Sequence, residues 1–253
     1  MTEPLARHVI NQREILDVDK DELKSRKAEK AGETMIRDSE KLQQLKSSLS
    51  EEKLKLLEAV SEVGASSWLT SLPLKKYGFF LEKQAFRDAL FLRYGLPIPR
   101  LPTNCVCGST FSVQHALTCA RGGFTIIRHN DLRDFTAELL NEICHDVEVE
   151  PCLTPLSGES FQHKTSNTSD DARGDISARG LWARGQKTFM DVRVFNPLAK
   201  TYAKGPLTAA YKMNELEKKR AYNRRIIDIE NATFTPLVFS CLGGQGVESS
   251  RFF

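Results

Sequence analysis

The stretch KTFMDVRVFN, residues 187–196, combines a clear strand pattern with a side chain that strands rarely bury. Its apolar residues alternate with the others, which places them on one face of a β-strand: Met190, Val192 and Val194. Asp191 lies in the middle of this run, with Arg193 on the same face. Because a buried carboxylate costs free energy unless it is paired or bound to a metal, the pattern indicates a site at Asp191. An ion pair between Asp191 and Arg193 on a solvated strand face is the alternative.

The segments around this stretch predict an α/β core with a mixed sheet. Helical periodicity covers about residues 127–144 and 207–229. Strand patterns surround residues 187–196 at about 146–150, 174–182 and 233–240. The predicted order is therefore helix, strand, strand, strand, helix, strand. The first helix has one apolar stripe, made of Leu132, Phe135, Thr136, Leu139 and Ile143.

Four regions precede or form this core. We expect a charged amphipathic helical segment at 1–63, then a helical segment with a Pro-rich linker at 64–104. A small zinc module at 105–123 and the α/β domain at 124–253 follow. Within the domain, the polar run SGESFQHKTSNTSDDARG, residues 157–174, predicts a loop.

The first segment carries apolar residues at steps that fit a short, interrupted heptad, with a possible break of the helix near Gly32. These residues are Met35, Leu42, Leu45, Leu49, Leu56, Ala59 and Val63. They fit a surface helix that packs on its own protein. They also fit a partner helix or self-association through residues 35–63.

Composition limits the possible functions. The chain has 253 residues, 40% hydrophobic and 27% charged, so it can bury a core. A formal net charge of +3 gives no bulk signal for nucleic acid, and any such binding must use a local patch. The charged N-terminus does not resemble a secretory signal, and no apolar run is long enough for a membrane span. We therefore expect a nuclear or cytoplasmic protein that is not secreted, with reduced cysteines.

The segment CVCGSTFSVQHALTC places Cys105, Cys107, His115 and Cys119 within fifteen residues. Thiolates and imidazole are the usual zinc ligands, and four of them complete a tetrahedron. His115 and Cys119 are four residues apart, so one helical turn can direct both toward one ion. Since the protein fills all four positions, a structural zinc site is favoured over a catalytic one. Buried cysteines beside a chance histidine are the alternative.

Two acids on neighbouring predicted strands form a second constellation. Asp175 begins one strand, and a short connection to the next makes Asp175 and Asp191 candidates for one Mg²⁺ site. A third acid could come from the first helix, where three acids lie within about 40° of one another. They are Asp131, Glu138 and Glu142, of which Glu138 is preferred. Glu150, at the end of the first strand, is the rival.

These motifs resemble the PD-(D/E)XK restriction-endonuclease-like superfamily. More narrowly, they are similar to the C-terminal part of non-LTR retrotransposon polyproteins, where a CCHC zinc module precedes a restriction-like endonuclease. The matching stretches span about residues 66–240 and are CVCGSTFSVQHALTC, RGGFTIIRHNDLRD, VEVEP, RGDISARGLW and TFMDVRVFNP. The resemblance implies a Mg²⁺-dependent DNA endonuclease in which Asp175 and Asp191 hold the metal. No Tyr-x-Asp-Asp motif of a reverse transcriptase is present, so we expect a fragment or derivative of such a polyprotein.

The resemblance is incomplete at the basic position. The superfamily's Lys would stand where this chain has Arg193. Related nucleases take that Lys from the following helix, which suggests Lys219 with Tyr222, one turn apart, while Lys218 is expected to face away. The alternative is a solvated basic face formed by Lys218, Lys219, Arg220, Arg224 and Arg225.

A basic cluster before the first core helix is a candidate for binding DNA phosphates. It consists of Arg121, Arg128, His129 and Arg133. A solvated helix N-terminus would explain the same cluster. If the nuclease is inactive, the chain would be a nucleic-acid-binding module of the same fold. A helical protein-interaction protein is the third possibility.

Overall fold

The computed structural model describes residues 3–78, 80–156, 172–202 and 204–253. The chain divides into two compact units, Met1–Leu54 and Lys55–Phe253, so the division falls inside the segment predicted at 1–63. The predicted polar loop at 157–174 lies outside the described residues, except for 172–174.

The first unit is dominated by one long helix, α1, Glu3–Ser48. The break predicted near Gly32 is wrong, because the helix runs through that residue and ends at Ser48. Several apolar side chains of α1 face solvent, and Met35 is 75% exposed. Association of this segment with a partner stays a prediction.

Short helices follow α1 along the chain. They are α2 Glu51–Val60, α3 Ser67–Thr70, α4 Lys83–Tyr94 and α5 Val113–Ala116. All but the first four residues of α2 belong to the second unit. Two short 3-10 helices, Lys75–Tyr77 and Lys200–Tyr202, also occur. Leu56, Ala59 and Val60 of α2 are buried in this unit. Helix α4 confirms the helical pattern predicted before the Pro-rich linker.

The core of the second unit is a four-stranded mixed sheet with the predicted order of elements. Helix α6, Phe124–Ile143, precedes three strands, and helix α7, Leu207–Asp228, precedes the fourth. The strands are β1 His145–Val149, β2 Ile176–Arg179, β3 Lys187–Phe195 and β4 Thr233–Ser240. They lie side by side in chain order, antiparallel from β1 to β3 and parallel between β3 and β4.

Strand β3 is buried on both of its faces. Met190 and Val192 pack with Ala137 and Leu140 of α6 in one core. Phe189, on the other face of β3, packs with Ile226 of α7 in a second core. The alternation along β3 therefore separates two cores, and the face that carries Asp191 is not solvated.

Helix α6 presents a different face to the sheet than its apolar pattern predicts. Its buried residues are Arg133, Thr136, Ala137 and Leu140. Two residues of the predicted stripe, Phe135 and Ile143, are 50% and 73% exposed. Ala137 and Leu140 instead pack against the large side chains of Ile176, Met190 and Leu237 in the sheet.

A short C-terminal helix, α8, Val247–Phe252, was not predicted. It covers the edge of β4, where the Ser249 hydroxyl accepts a hydrogen bond from the Val238 N–H (2.7 Å) and donates one to the Val238 carbonyl (3.0 Å). In the part of the chain that the structure describes, no helix combines the length and apolar character needed to cross a membrane.

Candidate functional site

The four side chains of the cysteine segment converge as predicted. The ligand atoms of Cys105, Cys107, His115 and Cys119 all lie within 4.8 Å of one another. The Sγ atoms of Cys105 and Cys119 are 3.8 Å apart, and the Cys107 Sγ is 3.2 Å from the His115 Nε2. We call these four residues the Cys3His cluster. Its geometry could hold a metal ion such as zinc.

Local backbone structure explains how Cys105 and Cys107, which are separated by one residue, both reach the cluster. Gly108 has a φ of 87°, which only glycine adopts freely, and it closes a turn onto the Cys105 carbonyl with a hydrogen bond of 2.9 Å. Ser112 caps α5 by accepting a hydrogen bond from the His115 N–H (3.1 Å). The Cys119 N–H then donates to the His115 carbonyl (2.8 Å), which places both ligands on one turn.

The Cys107 thiol has a lowered pKa. Hydrogen bonds from the side chain and backbone of Ser109 are the main reason that its pKa falls to about 6. Because metals bind the thiolate, a lowered pKa favours the ligand form at neutral pH.

The two predicted acids also meet. Ile176 of β2 is paired with Met190 of β3, so the same antiparallel register continued by one residue sets Asp175 opposite Asp191. The Asp175 Oδ2 accepts a hydrogen bond of 2.6 Å from the Val192 N–H. Asp191 is only 3% exposed. We call Asp175 and Asp191 the acid pair.

Each member of the acid pair has one basic partner. The Lys218 Nζ forms a close ion pair with the Asp191 Oδ2. The His129 Nε2 lies 3.1 Å from the Asp175 Oδ2. Burial, followed by the charge of Asp175, raises the pKa of Asp191 to about 6. The hydrogen bond to Asp175 raises the pKa of His129 above its ordinary value.

Tyr222 completes the surroundings of Asp191. Its ring stacks on Phe234 with centroids 5.4 Å apart and an interplanar angle of 28°. The Lys218 Nζ lies 5.8 Å from the centroid of the same ring. Burial raises the pKa of Tyr222, and the negative charges of Asp191 and Asp175 raise it further. Tyr222 therefore remains a neutral phenol beside the acid pair.

The predicted position of Lys219 is wrong. The Lys219 Nζ pairs with the Glu248 Oε1 of α8 at 2.6 Å, and Lys218 occupies the place beside Asp191. Helix α7 buries Asn214 and places Tyr222 eight residues later on the same face, so Lys218, midway between them, also turns toward the sheet. The spacing of Asn214, Lys218 and Tyr222 was the available signal.

The other predicted catalytic residues have different partners or face solvent. The Arg193 Nη2 is 3.8 Å from the Glu217 Oε2, so the alternative ion pair with Asp191 does not form. Glu138 is on the exposed face of α6 and has no described contact with the acid pair. Glu150, the rival of Glu138, contacts Asp175 through its backbone, because its N–H donates a hydrogen bond to the Asp175 carbonyl (2.9 Å). Its carboxylate pairs with Arg133.

Most of the predicted phosphate-binding cluster is directed inward. Arg128 reaches the carbonyls of Leu117 and Val194, His129 contacts Asp175, and Arg133 is buried between Asp134 and Glu150. Arg121 alone of the four is exposed. Three of these four side chains therefore contact acids or carbonyls of the protein, and DNA binding by the cluster stays a prediction.

Comparison with known proteins adds no assignment to this geometry. No protein-family model matches the chain, and the search of curated proteins finds no match.

Proposed function

We propose that the second unit is a divalent-metal-dependent endonuclease that hydrolyses phosphodiester bonds in DNA. Its catalytic residues would be Asp175, Asp191 and Lys218. One observation carries the proposal: Asp175, directly before β2, lies opposite Asp191 of β3 in the antiparallel register, and a lysine from the next helix contacts the more buried Asp191. The order of helices and strands supports a restriction-endonuclease-like core, similar to the endonuclease of non-LTR retrotransposon polyproteins.

The donor set of the acid pair suits a hard cation. Carboxylate oxygens are the ligands that Mg²⁺ prefers, and a bound Mg²⁺ would polarise a phosphoryl oxygen and lower the pKa of a bound water. The Val192 N–H and His129 fix the orientation of Asp175. Burial of Asp191 keeps its carboxylate poorly hydrated, which favours its interaction with a cation.

Lys218 would supply the positive charge that the chemistry needs. Its ammonium group is compact and offers three donors, so it can stabilise negative charge that develops on a phosphate. The half-buried ring of Tyr222 lies beside the Lys218 ammonium, and its hydroxyl interacts with Asp191. Lys218 thus fills the role that the resemblance would give to a Lys at the position of Arg193.

The Cys3His cluster has a separate role in this proposal. Four protein ligands leave no open position for a substrate, so a bound Zn²⁺ would be structural. The cluster would then stabilise the segment between α4 and α6.

A second candidate is a nucleic-acid-binding module that does not cleave. Among the described residues, the Cys3His cluster is the one group of three or more ligand side chains whose atoms lie close enough for a metal. The acid pair is already balanced by Lys218 and His129. Such pairing would preserve the fold without catalysis.

A cleavage assay separates the two candidates. Wild-type protein should nick or cut supercoiled plasmid DNA when Mg²⁺ or Mn²⁺ is added, and Asp191→Asn should abolish this while DNA affinity, measured by fluorescence anisotropy, stays nearly constant. Asp131→Asn, an exposed acid on α6, is the matched control. Metal-dependent binding without any cleavage by the wild type would favour the second candidate. Activity that survives in Asp191→Asn would refute the proposed site.

A further inference from the structure

The Cys3His cluster is joined to the C-terminal end of β3 by one buried side chain. Asn196 directly follows the strand and is 4% exposed. Its Nδ2 donates a hydrogen bond of 2.8 Å to the Oε1 of Gln114, which precedes the ligand His115 in α5. Its Oδ1 accepts a hydrogen bond of 3.0 Å from the Leu198 N–H. Because a backbone donor fixes the amide, its N–H group has to point toward α5.

A weaker contact runs beside this one. The Arg128 Nη2 lies 3.4 Å from the Leu117 carbonyl, between the ligands His115 and Cys119, and 3.5 Å from the Val194 carbonyl of β3. Both distances are at the upper limit for a hydrogen bond. The hydrogen bond between Asn196 and Gln114 is therefore the shorter of these two links between the cysteine segment and the end of β3.

We propose that Asn196 is a positioning residue that couples metal binding at the Cys3His cluster to the end of β3. Helix α5 has only four residues, which is too few to persist without another constraint. A metal ion held by His115 and the three thiolates would supply that constraint and keep Gln114 in reach of Asn196. Loss of the metal would release α5 and remove the acceptor from Asn196.

Thermodynamic linkage means that the coupling can be measured as a change in metal affinity. If the metal favours the contact between Gln114 and Asn196, the contact favours metal binding by the same factor. The test needs no cleavage, so its failure is distinct from failure of the proposed nuclease.

The experiment measures Zn²⁺ affinity of the full chain by competition with a chromophoric chelator. Gln114 is exposed, so Gln114→Ala removes the acceptor with little effect on packing. We expect roughly threefold to tenfold weaker Zn²⁺ binding, the value of one neutral hydrogen bond. Gln114→Glu should bind like the wild type, because a carboxylate also accepts from the Asn196 Nδ2. Gln186→Ala, an exposed glutamine at the other end of β3, is the control and should change nothing.

Hydrogen exchange measures the same coupling at the C-terminal end of β3. Chelation of Zn²⁺ from the wild type should accelerate exchange of the amides at 194–196, while those of β1 keep their protection. In Gln114→Ala this response should shrink. Equal Zn²⁺ affinity in Gln114→Ala and wild type would overturn the proposal. An exchange rate at 194–196 that does not change when Zn²⁺ is chelated would also overturn it. Equal weakening by Gln114→Ala and Gln114→Glu would also contradict it, since the hydrogen bond would then not be the cause.

Discussion

The ammonium group of Lys218 rests on the carboxylate of Asp191, and both side chains are largely shielded from water, with 18% and 5% of their surfaces exposed. Neither group could occupy this position alone without a large desolvation cost. Lys219, the next residue, faces away toward Glu248. The two adjacent lysines therefore form a matched pair for mutagenesis.

Lys218→Ala should reduce the single-turnover rate of DNA cleavage by roughly 100-fold to 1000-fold, the usual loss when one charge-stabilising donor is removed. Lys219→Ala, which removes the same charge from the same helix, should leave the rate within about threefold of wild type. Anisotropy measurements should find similar DNA affinities for both variants. Equal losses of cleavage, in proportion to lost binding, would mean that both lysines act only through a solvated basic face.

The stability of Asp191→Asn relative to the wild type should depend on pH. Burial raises the pKa of Asp191 from 3.8 to about 6. A carboxyl whose pKa is raised by folding stabilises the fold fully below its unfolded pKa, and this contribution is lost as the pH rises through about 6. Asn does not ionise, so the variant does not lose this contribution. The free energy of unfolding of the variant minus that of the wild type should therefore increase between about pH 4 and pH 6 and stay constant at higher pH.

Urea unfolding of both proteins from roughly pH 4 to pH 8 checks this expectation. Asp131→Asn provides the control, because that acid is exposed on α6. A stability difference for Asp191→Asn that is the same at every pH would show that the buried carboxylate is not ionised at a cost.

Purified protein should contain about one Zn²⁺ per chain, and Cys119→Ser should lose it. Cys119 is buried within the cluster, whereas Cys152 is exposed and outside it, so Cys152→Ser should keep the metal. Elemental analysis of unchelated protein gives the stoichiometry, and thermal unfolding should show a lower Tm for Cys119→Ser. Metal-free wild-type protein of normal stability would be incompatible with a zinc-dependent module.

Gly243→Ala should destabilise the second unit by roughly 2–4 kcal/mol. Gly243 has a φ of 95°, and an added Cβ would lie 3.0 Å from the Ala65 Cα and 3.2 Å from the Ala65 carbonyl oxygen. These are backbone atoms, which cannot rotate away as a side chain can. Gly205→Ala is the control, because a Cβ there meets nothing within 4 Å. Chemical denaturation of the two variants measures the difference, and equal stabilities would contradict the structure of this loop.

Local periodicity sufficed to predict the elements of the core. The period of two in 187–196 gave β3, and the helical patterns gave α6 and α7 to within a few residues. The Cys3His cluster was predictable for the same reason, since its ligands lie within one short segment whose turn and helix are set by Gly108 and Ser112. The pairing of Asp175 with Asp191 followed from a short connection between two strands.

The sequence by itself thus determined the order of the elements, the proximity of Asp175 and Asp191 on neighbouring strands and the metal-binding segment, all of which depend on residues close together in the chain. Tertiary structure decided which face α6 and α7 turn toward the sheet. A helix rotates its side chains by about 100° per residue, so an error of one position exchanges Lys219 for Lys218. The rotation of α7 about its axis is set by the packing of Asn214 and Tyr222 against the sheet. These contacts join segments that are far apart in the chain. The same packing turned His129 toward Asp175 and left Glu138 in solvent.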